Sequence, residues 1–207
     1  MQLQNYYYWF KDAIPHHVCD DIVRYAKSIQ DEMAVTGGLG NRKLNKKEVQ
    51  DLKKKRDSDI VWLNERWIYN AIHPYIHQAN KDANWNFQWD FSESCQFTKY
   101  KKSQYYDWHC DSWDKPYDSP NTPSHGKTRK LSVTLSLSDD KDYSGGELEF
   151  DMRNLDPDKK ANTHVLKEIR SKGSLVVFPS DVWHRVKPVK RGVRHSLVIW
   201  NLGYPFK

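Results

Sequence analysis

A change in hydrophobic periodicity near residue 84 constrains this chain more than any other feature. From Leu131 to Ser138, apolar residues alternate strictly with Ser and Thr, which predicts a β-strand with two different faces. Weaker strand candidates surround it, with Gly, Pro and Ser turns between them. They cover residues 86–91, 95–100, 104–108, 147–150, 174–178, 182–186 and 194–200. A run of short strands of this kind favours an antiparallel architecture over a parallel α/β sheet.

Two amphipathic helices are predicted before these strands. Apolar residues recur at helical spacing over roughly residues 15–30 and again over about residues 64–80. Pro15 suits a helix start, whereas Pro74 predicts a kink or a boundary in the second helix. Helices followed by strands predict a mainly β fold with N-terminal helices, in which a double-stranded β-helix (a jelly-roll, cupin-like core) has the helices packed outside one sheet.

Charge and composition limit the environment and the partners. The chain has a formal charge of +6 and three cysteines. No apolar run approaches the about 18 residues of a membrane span, and no secretory signal is visible, so we expect a cytoplasmic protein without membrane contact. The positive charge admits nucleic acid as a partner. However, much of it lies in residues 41–56, which follow the glycines of 37–40 and read as a solvated loop or helix face, so nucleic acid is not favoured.

Three side chains form a candidate metal site. His109 and Asp111 are two positions apart, so on a strand both point to the same face, and the long polar loop 112–127 follows them. His184 comes shortly after the apolar run 175–178, near another expected strand end. Two imidazoles and one carboxylate are the protein ligands of the facial triad in non-haem Fe(II) oxygenases.

Arg194 adds an anion site to this group. Period-two alternation places Arg194 and Ser196 on one face of the last strand. An arginine inside a barrel is costly unless it meets an anion, and a guanidinium beside a hydroxyl suits a carboxylate. A dicarboxylate oxo-acid that chelates iron with one end would meet Arg194 with the other. Trp108, Trp113 and Trp183 are candidate pocket walls, although core packing explains each of them equally well.

Taken in order, these residues resemble the Fe(II)- and 2-oxoglutarate-dependent dioxygenases, and among them the prolyl 4-hydroxylase-like branch. The likeness covers most of the chain, and the ordered set with His184 and Arg194 is much more specific than His-x-Asp alone. Besides the four site residues, the matching positions are 10–15 (FKDAIP) with Cys19, 56–63 (RDSDIVWL), 96–100 (QFTKY) with Tyr106, Arg129, Ser132, Leu137, 143–148 (YSGGEL), 173–180 (GSLVVFPS) and 192–196 (GVRHS).

The resemblance implies a single dioxygenase domain over residues 1–207, with 1–83 as helical support and 84–207 as the catalytic core. It implies that His109, Asp111 and His184 bind Fe(II) and that Arg194 holds the C5 carboxylate of 2-oxoglutarate, with Tyr100 helping and Ser196 beside it. O2 is the second co-substrate, and the resemblance admits ascorbate. The expected reaction is hydroxylation of a C–H bond in a small molecule or a prolyl or other amino-acid residue, with release of succinate and CO2.

Two other functions stay open at this stage. Oxidative demethylation of nucleic-acid bases uses the same iron chemistry, and Arg191 with Arg194 imitates its two-arginine motif at the wrong spacing. A non-catalytic jelly-roll binding module would be expected to lack one of the four site residues. The sequence leaves open the substrate, the oligomeric state and whether residues 37–57 and 112–127 order on substrate binding.

Overall fold

The computed structural model describes residues 5–29, 32–33, 45–112, 114–152 and 162–205. The helices are α1 (His16–Lys27), α2 (Lys46–Lys55) and α3 (Arg66–Asp82). The strands are β1 (Tyr8–Phe10), β2 (Glu32–Met33), β3 (Arg56–Asp57), β4 (Asp59–Leu63), β5 (Phe91–Ser92), β6 (Cys95–Tyr100), β7 (Tyr105–His109), β8 (Thr128–Ser136), β9 (Tyr143–Gly145), β10 (Leu148–Asp151), β11 (Thr163–Val165), β12 (Leu175–Pro179), β13 (His184–Val186), β14 (Val189–Gly192) and β15 (Arg194–Gly203).

Two antiparallel sheets dominate the described residues, which confirms the mainly β prediction. The larger sheet has the order β1-β12-β8-β15-β6-β4-β2, with β5 also paired to β15. The smaller sheet has the order β11-β10-β13-β7-β3, and β14 pairs with β9 separately. Strands β1 to β4 come from the first 83 residues, so the predicted helical support also contributes strands to both sheets.

The alternation in β8 separates two buried environments. Leu131, Val133 and Leu135 face the core between the larger sheet and helices α1 and α3. Ser132 and Thr134 are also buried, and they point to the opposite side, into the space between the two sheets. The polar face of the clearest strand is therefore turned towards the space between the two sheets and away from solvent.

The helices follow the predicted positions. In α1 the buried residues are Cys19, Ile22 and Ala26, and the helix begins directly after Pro15. Helix α3 runs through Pro74 as one element, so the proline does not end it. Helix α2 begins at a capping box of Asn45 and Glu48, in which each residue's side chain accepts from the other's backbone N–H. Its exposed lysines confirm the helix-face interpretation of that part of the basic run.

The predicted strand at 86–91 is wrong except for its last residue. Asn84 and Asn86 adopt left-handed backbone conformations, with φ of 59° and 54°, which strand pairing does not tolerate. The Asn80 side chain of α3 instead accepts from the Phe87 N–H and donates to the Phe87 carbonyl. The alternating aromatic residues therefore belong to a loop that packs on α3. Burial of every second residue against a helix produces the same sequence pattern as burial of one face of a strand.

The glycine stretch and the start of the basic run (residues 37–44) and the candidate pocket residue Trp113 lie outside the described residues. In the described part of the loop after Asp111, the Tyr117 hydroxyl donates to Glu93 Oε1 at 2.8 Å. The Tyr117 backbone also exchanges hydrogen bonds with Gly126 and Lys127. The loop thus closes on itself beside the larger sheet. Across the described residues, no helix has the length and apolar character that a membrane span requires.

Candidate metal centre

The three predicted metal ligands meet where β7 and β13 pair. His109 ends β7, His184 begins β13, and the two residues lie directly opposite each other in the antiparallel register. Asp111 follows two positions after His109, and all three residues are buried. One ligand atom from each residue lies within 4.8 Å of the others. This is a compact His₂-carboxylate group at the end of two paired strands.

Both imidazoles are oriented by backbone carbonyl groups. The Nδ1 atom of His109 lies 2.7 Å from the Asp107 carbonyl oxygen, and that of His184 lies 2.9 Å from the Val182 carbonyl oxygen. Donation from Nδ1 leaves the Nε2 lone pair free in each ring. The Nε2 atoms lie 3.8 Å and 3.6 Å from the two carboxylate oxygens of Asp111. One donor atom from each residue, Nε2 of the two histidines and a carboxylate oxygen of Asp111, is therefore available to a common metal ion.

The pKa shifts of His109 and Asp111 suit a divalent cation. Burial, followed by the neighbouring His184, lowers the pKa of His109 to about 3, so its imidazole is neutral. Burial alone would raise the pKa of Asp111, but the two imidazoles, the Arg129 guanidinium and the Ser132 hydroxyl together lower it. Two imidazoles and one carboxylate form the donor set that Fe(II) accepts. On this chemistry the residues present fit the metal.

A serine pair stands behind the carboxylate. The Ser132 hydroxyl donates to Asp111 Oδ2 at 2.8 Å, and its oxygen lies 2.9 Å from that of Ser180. The Asp111 N–H donates to the Ser180 carbonyl at 2.8 Å. The bond from Ser132 fixes the rotamer of the carboxylate, and this donor lies on the inward polar face of β8.

A cavity extends from this group along β15, as the period-two alternation predicts. Arg194, Ser196, Val198 and Trp200 all line it. Arg194 is only 4% exposed, its Nη1 donates to Ser196 Oγ at 3.1 Å, and its guanidinium carbon lies 5.5 Å from the centre of the Tyr100 ring. Arg194 is therefore not a surface arginine. The structure thus brings the six predicted site residues into one cavity.

Some cavity residues were missed by sequence reasoning. Gln96 lies four positions before Tyr100 on β6, so period-two counting from Tyr100 would have found it. Arg56 was missed because it ends a basic run in which Lys47, Lys53, Lys54 and Lys55 are exposed. Trp200 lines the cavity, whereas Trp183 is 42% exposed and Trp108 stacks against Arg185 at 4.6 Å. Of the tryptophans predicted as pocket walls, neither described one lines this cavity.

Comparison with known proteins adds three observations. The model of the 2OG-Fe(II) oxygenase superfamily matches residues 95–201. A PKHD-type hydroxylase of Synechococcus sp. (strain CC9902) is 38% identical over 100 residues, which is 48% of this chain and 36% of that protein. The PKHD-type hydroxylase YbiX of Escherichia coli O157:H7 is 35% identical over 105 residues, which is 50% of this chain and 40% of that protein. The matched stretch thus covers well under half of each relative.

Solved structures resemble the whole fold. A Pseudomonas putida prolyl-4-hydroxylase superposes with a TM-score of 0.65 at 18% identity, over 96% of this chain and 92% of that one. The viral collagen prolyl hydroxylase of Paramecium bursaria Chlorella virus-1, in complex with 2-oxoglutarate, gives a TM-score of 0.63 at 18% identity, over 97% of each chain. At such identity the likeness concerns the fold, and it confirms the jelly-roll prediction.

Proposed function

The chain belongs to the 2OG-Fe(II) oxygenase superfamily, and on that premise we propose that it is an Fe(II)- and 2-oxoglutarate-dependent dioxygenase. It would hydroxylate a C–H bond of its substrate and release succinate and CO2. One observation carries this proposal: His109, Asp111 and His184 converge in the same cavity that Arg194 lines. A non-catalytic binding module has no need for all four.

Each of these residues has a defined task in the proposed reaction. His109, Asp111 and His184 would hold Fe(II), with Nε2 of each imidazole as the donor atom. Arg194 would hold the far carboxylate of 2-oxoglutarate, with Tyr100 and Ser196 completing that end of the cavity. Bound iron and 2-oxoglutarate supply the oxidising power that inserts oxygen from O2 into a C–H bond. The buried walls exclude bulk water from that site.

The substrate class is the finer part of the proposal. Three of the structural neighbours are named prolyl hydroxylases, and one of these, from Trichoplax adhaerens, is in complex with a peptide fragment. They support a prolyl or other amino-acid residue, or a small molecule related to one, as the substrate. Base demethylation is less favoured, because Arg191 is exposed and does not line the cavity. A need for ascorbate and a cytoplasmic location stay predictions.

Succinate release tests the proposal directly. Asp111→Ala and His184→Ala should reduce succinate formation from 2-oxoglutarate to background, whereas the exposed-histidine control His17→Ala should retain it. Arg194→Ala should raise the KM for 2-oxoglutarate by about 10- to 100-fold, because it removes charge-assisted hydrogen bonds. Native-level turnover in both ligand variants would contradict the assignment.

A further inference from the structure

Arg56 is a second buried arginine in the same cavity. It begins β3, opposite Tyr106 of β7, and is 5% exposed. Its Nε donates to Ser58 Oγ at 2.9 Å, its Nη1 donates to Gln96 Oε1 at 3.3 Å, and its guanidinium lies 4.5 Å from the centre of the Tyr106 ring. Its third nitrogen, Nη2, is buried and has no acceptor among the described residues.

The charge of Arg56 is also uncompensated. Within the part of the chain that the structure describes, no carboxylate forms an ion pair with it, since the neighbouring Asp57 and Asp59 lie 3.8 Å and 2.8 Å from Lys53 and Lys101. Asp111 faces the two histidines. A buried guanidinium without a counter-charge is energetically unfavourable. Binding of an anionic ligand beside Arg56 would supply the missing counter-charge.

A second unpaired donor lies in the same cavity. Trp200 is 6% exposed and lines the cavity, and its buried indole N–H has no acceptor in the described parts of the chain. Gln96, which contacts Arg56, lies opposite Val198 in the register. Val198 is two positions before Trp200 and four positions after Arg194 on β15. At a rise of about 3.3 Å per residue, this level of β15 is roughly 13 Å from Arg194 along the strand. The two arginines therefore serve different sections of the cavity.

We propose that Arg56 and Trp200 form a binding site for a carboxylate of the substrate. This inference rests on the proposed function and names its substrate class: molecules with a free carboxylate, from a single amino acid or a peptide C-terminus. The cavity is lined by two arginines and one aspartate. A divalent cation and a doubly charged oxo-acid cancel each other, so one positive charge remains for a substrate anion. A neutral amide would meet the hydrogen-bonding need and leave that charge unbalanced.

Matched probes test this site by binding. The probes are a panel of N-acetyl amino acids, the corresponding N-acetyl amino-acid amides, and the free amino acids. Each is titrated calorimetrically into the full chain loaded with Mn(II) and 2-oxoglutarate. At least one carboxylate should bind about tenfold more tightly than its amide, as loss of a charge-assisted bond predicts. Preference for an acetylated probe indicates a peptide C-terminus, and preference for a free one indicates a single amino acid.

Variants assign the preference to Arg56. Arg56→Gln should reduce the carboxylate–amide difference to within about twofold, Arg56→Lys should retain part of it, and the exposed control Arg66→Gln should leave it intact. If circular dichroism shows that Arg56→Gln does not fold, the carboxylate–amide difference in Arg56→Lys, compared with that in the native protein, tests the site. No carboxylate preference in the native protein, or an undiminished one in the Arg56 variants, would overturn the site. Failure of the proposed function is distinguishable, because it would abolish Arg194-dependent binding of 2-oxoglutarate.

Discussion

At the scale of single residues, the Ser132 hydroxyl controls the position of the Asp111 carboxylate. The hydroxyl is fully buried and donates to the oxygen that faces His184. Without this bond the carboxylate keeps its burial and loses one donor, so other rotamers become competitive. Outer partners of metal ligands commonly contribute 10- to 100-fold in affinity.

Ser132→Ala should therefore weaken Mn(II) or Fe(II) binding by roughly 10- to 100-fold. The matched control is Ser136→Ala, which removes a buried hydroxyl from the same face of β8. In the described residues, that hydroxyl bonds to the backbone carbonyls of Ser138 and Arg170 and to no metal ligand. Metal titration followed by calorimetry measures both. Equal metal affinity in the two variants would show that Ser132 does not orient the carboxylate.

At the scale of elements, the entry to α1 is attached to the turn before β12. The Ile14 N–H donates to the Gly173 carbonyl at 3.0 Å, and the Ser171 hydroxyl donates to Asp12 Oδ1 at 2.6 Å. Gly173 has a φ of 83°, and a Cβ atom there would lie 2.2 Å from the Ile14 carbonyl oxygen. A side chain at this position would separate the chain entering α1 from the sheet.

Gly173→Ala should destabilise the protein more than Gly126→Ala does. Both glycines have a left-handed backbone, which costs about 1–2 kcal/mol for alanine. At Gly126, however, a Cβ atom would meet only the Tyr204 ring at 3.5 Å. We expect a further loss of about 2 kcal/mol in the free energy of unfolding at Gly173, measured by urea denaturation. Equal losses would mean that the turn adapts without strain.

The elements also show where sequence patterns suffice. Residues 95–100 were predicted as a strand and form β6 with those bounds. The strands β3 and β4 were missed. Arg56 ends the basic run and Asp57 follows it, and Asp59–Leu63 has four consecutive apolar residues and so shows no alternation. Their pairing with β7 and β6 comes from distant partners, which a local pattern does not contain.

At the scale of the whole molecule, two buried clusters share the larger sheet. One joins α1 and α3 to the outer face of that sheet, and the other fills the space between the sheets. Adjacent residues of β12 contribute to both, since Leu175 and Val177 lie in the first cluster and Val176 and Phe178 in the second. In the proposed single domain, separating the helices from the sheets would therefore expose buried apolar residues of a strand that also packs against the second sheet.

This arrangement predicts one cooperative unfolding transition. Far-ultraviolet circular dichroism, which follows the helices and strands, and tryptophan fluorescence should give coincident denaturation curves. Two resolved transitions, or a stable folded fragment of residues 84–207 alone, would contradict a single domain and would make the first 83 residues an independent unit.

The sequence by itself determined the fold class and predicted six residues that the structure places in one cavity. Five of them follow from local periodicity and from residue types with few alternative chemistries, whereas Tyr100 was implied by the family resemblance. His109 and Asp111 share a face at spacing two, and Arg194 and Ser196 do the same. Only the tertiary structure decided which buried polar groups face one cavity. Arg56 reaches Gln96, and Ser132 reaches Asp111, across strand pairings between residues far apart in the chain. Such contacts depend on the register of both sheets, and no local pattern encodes that register.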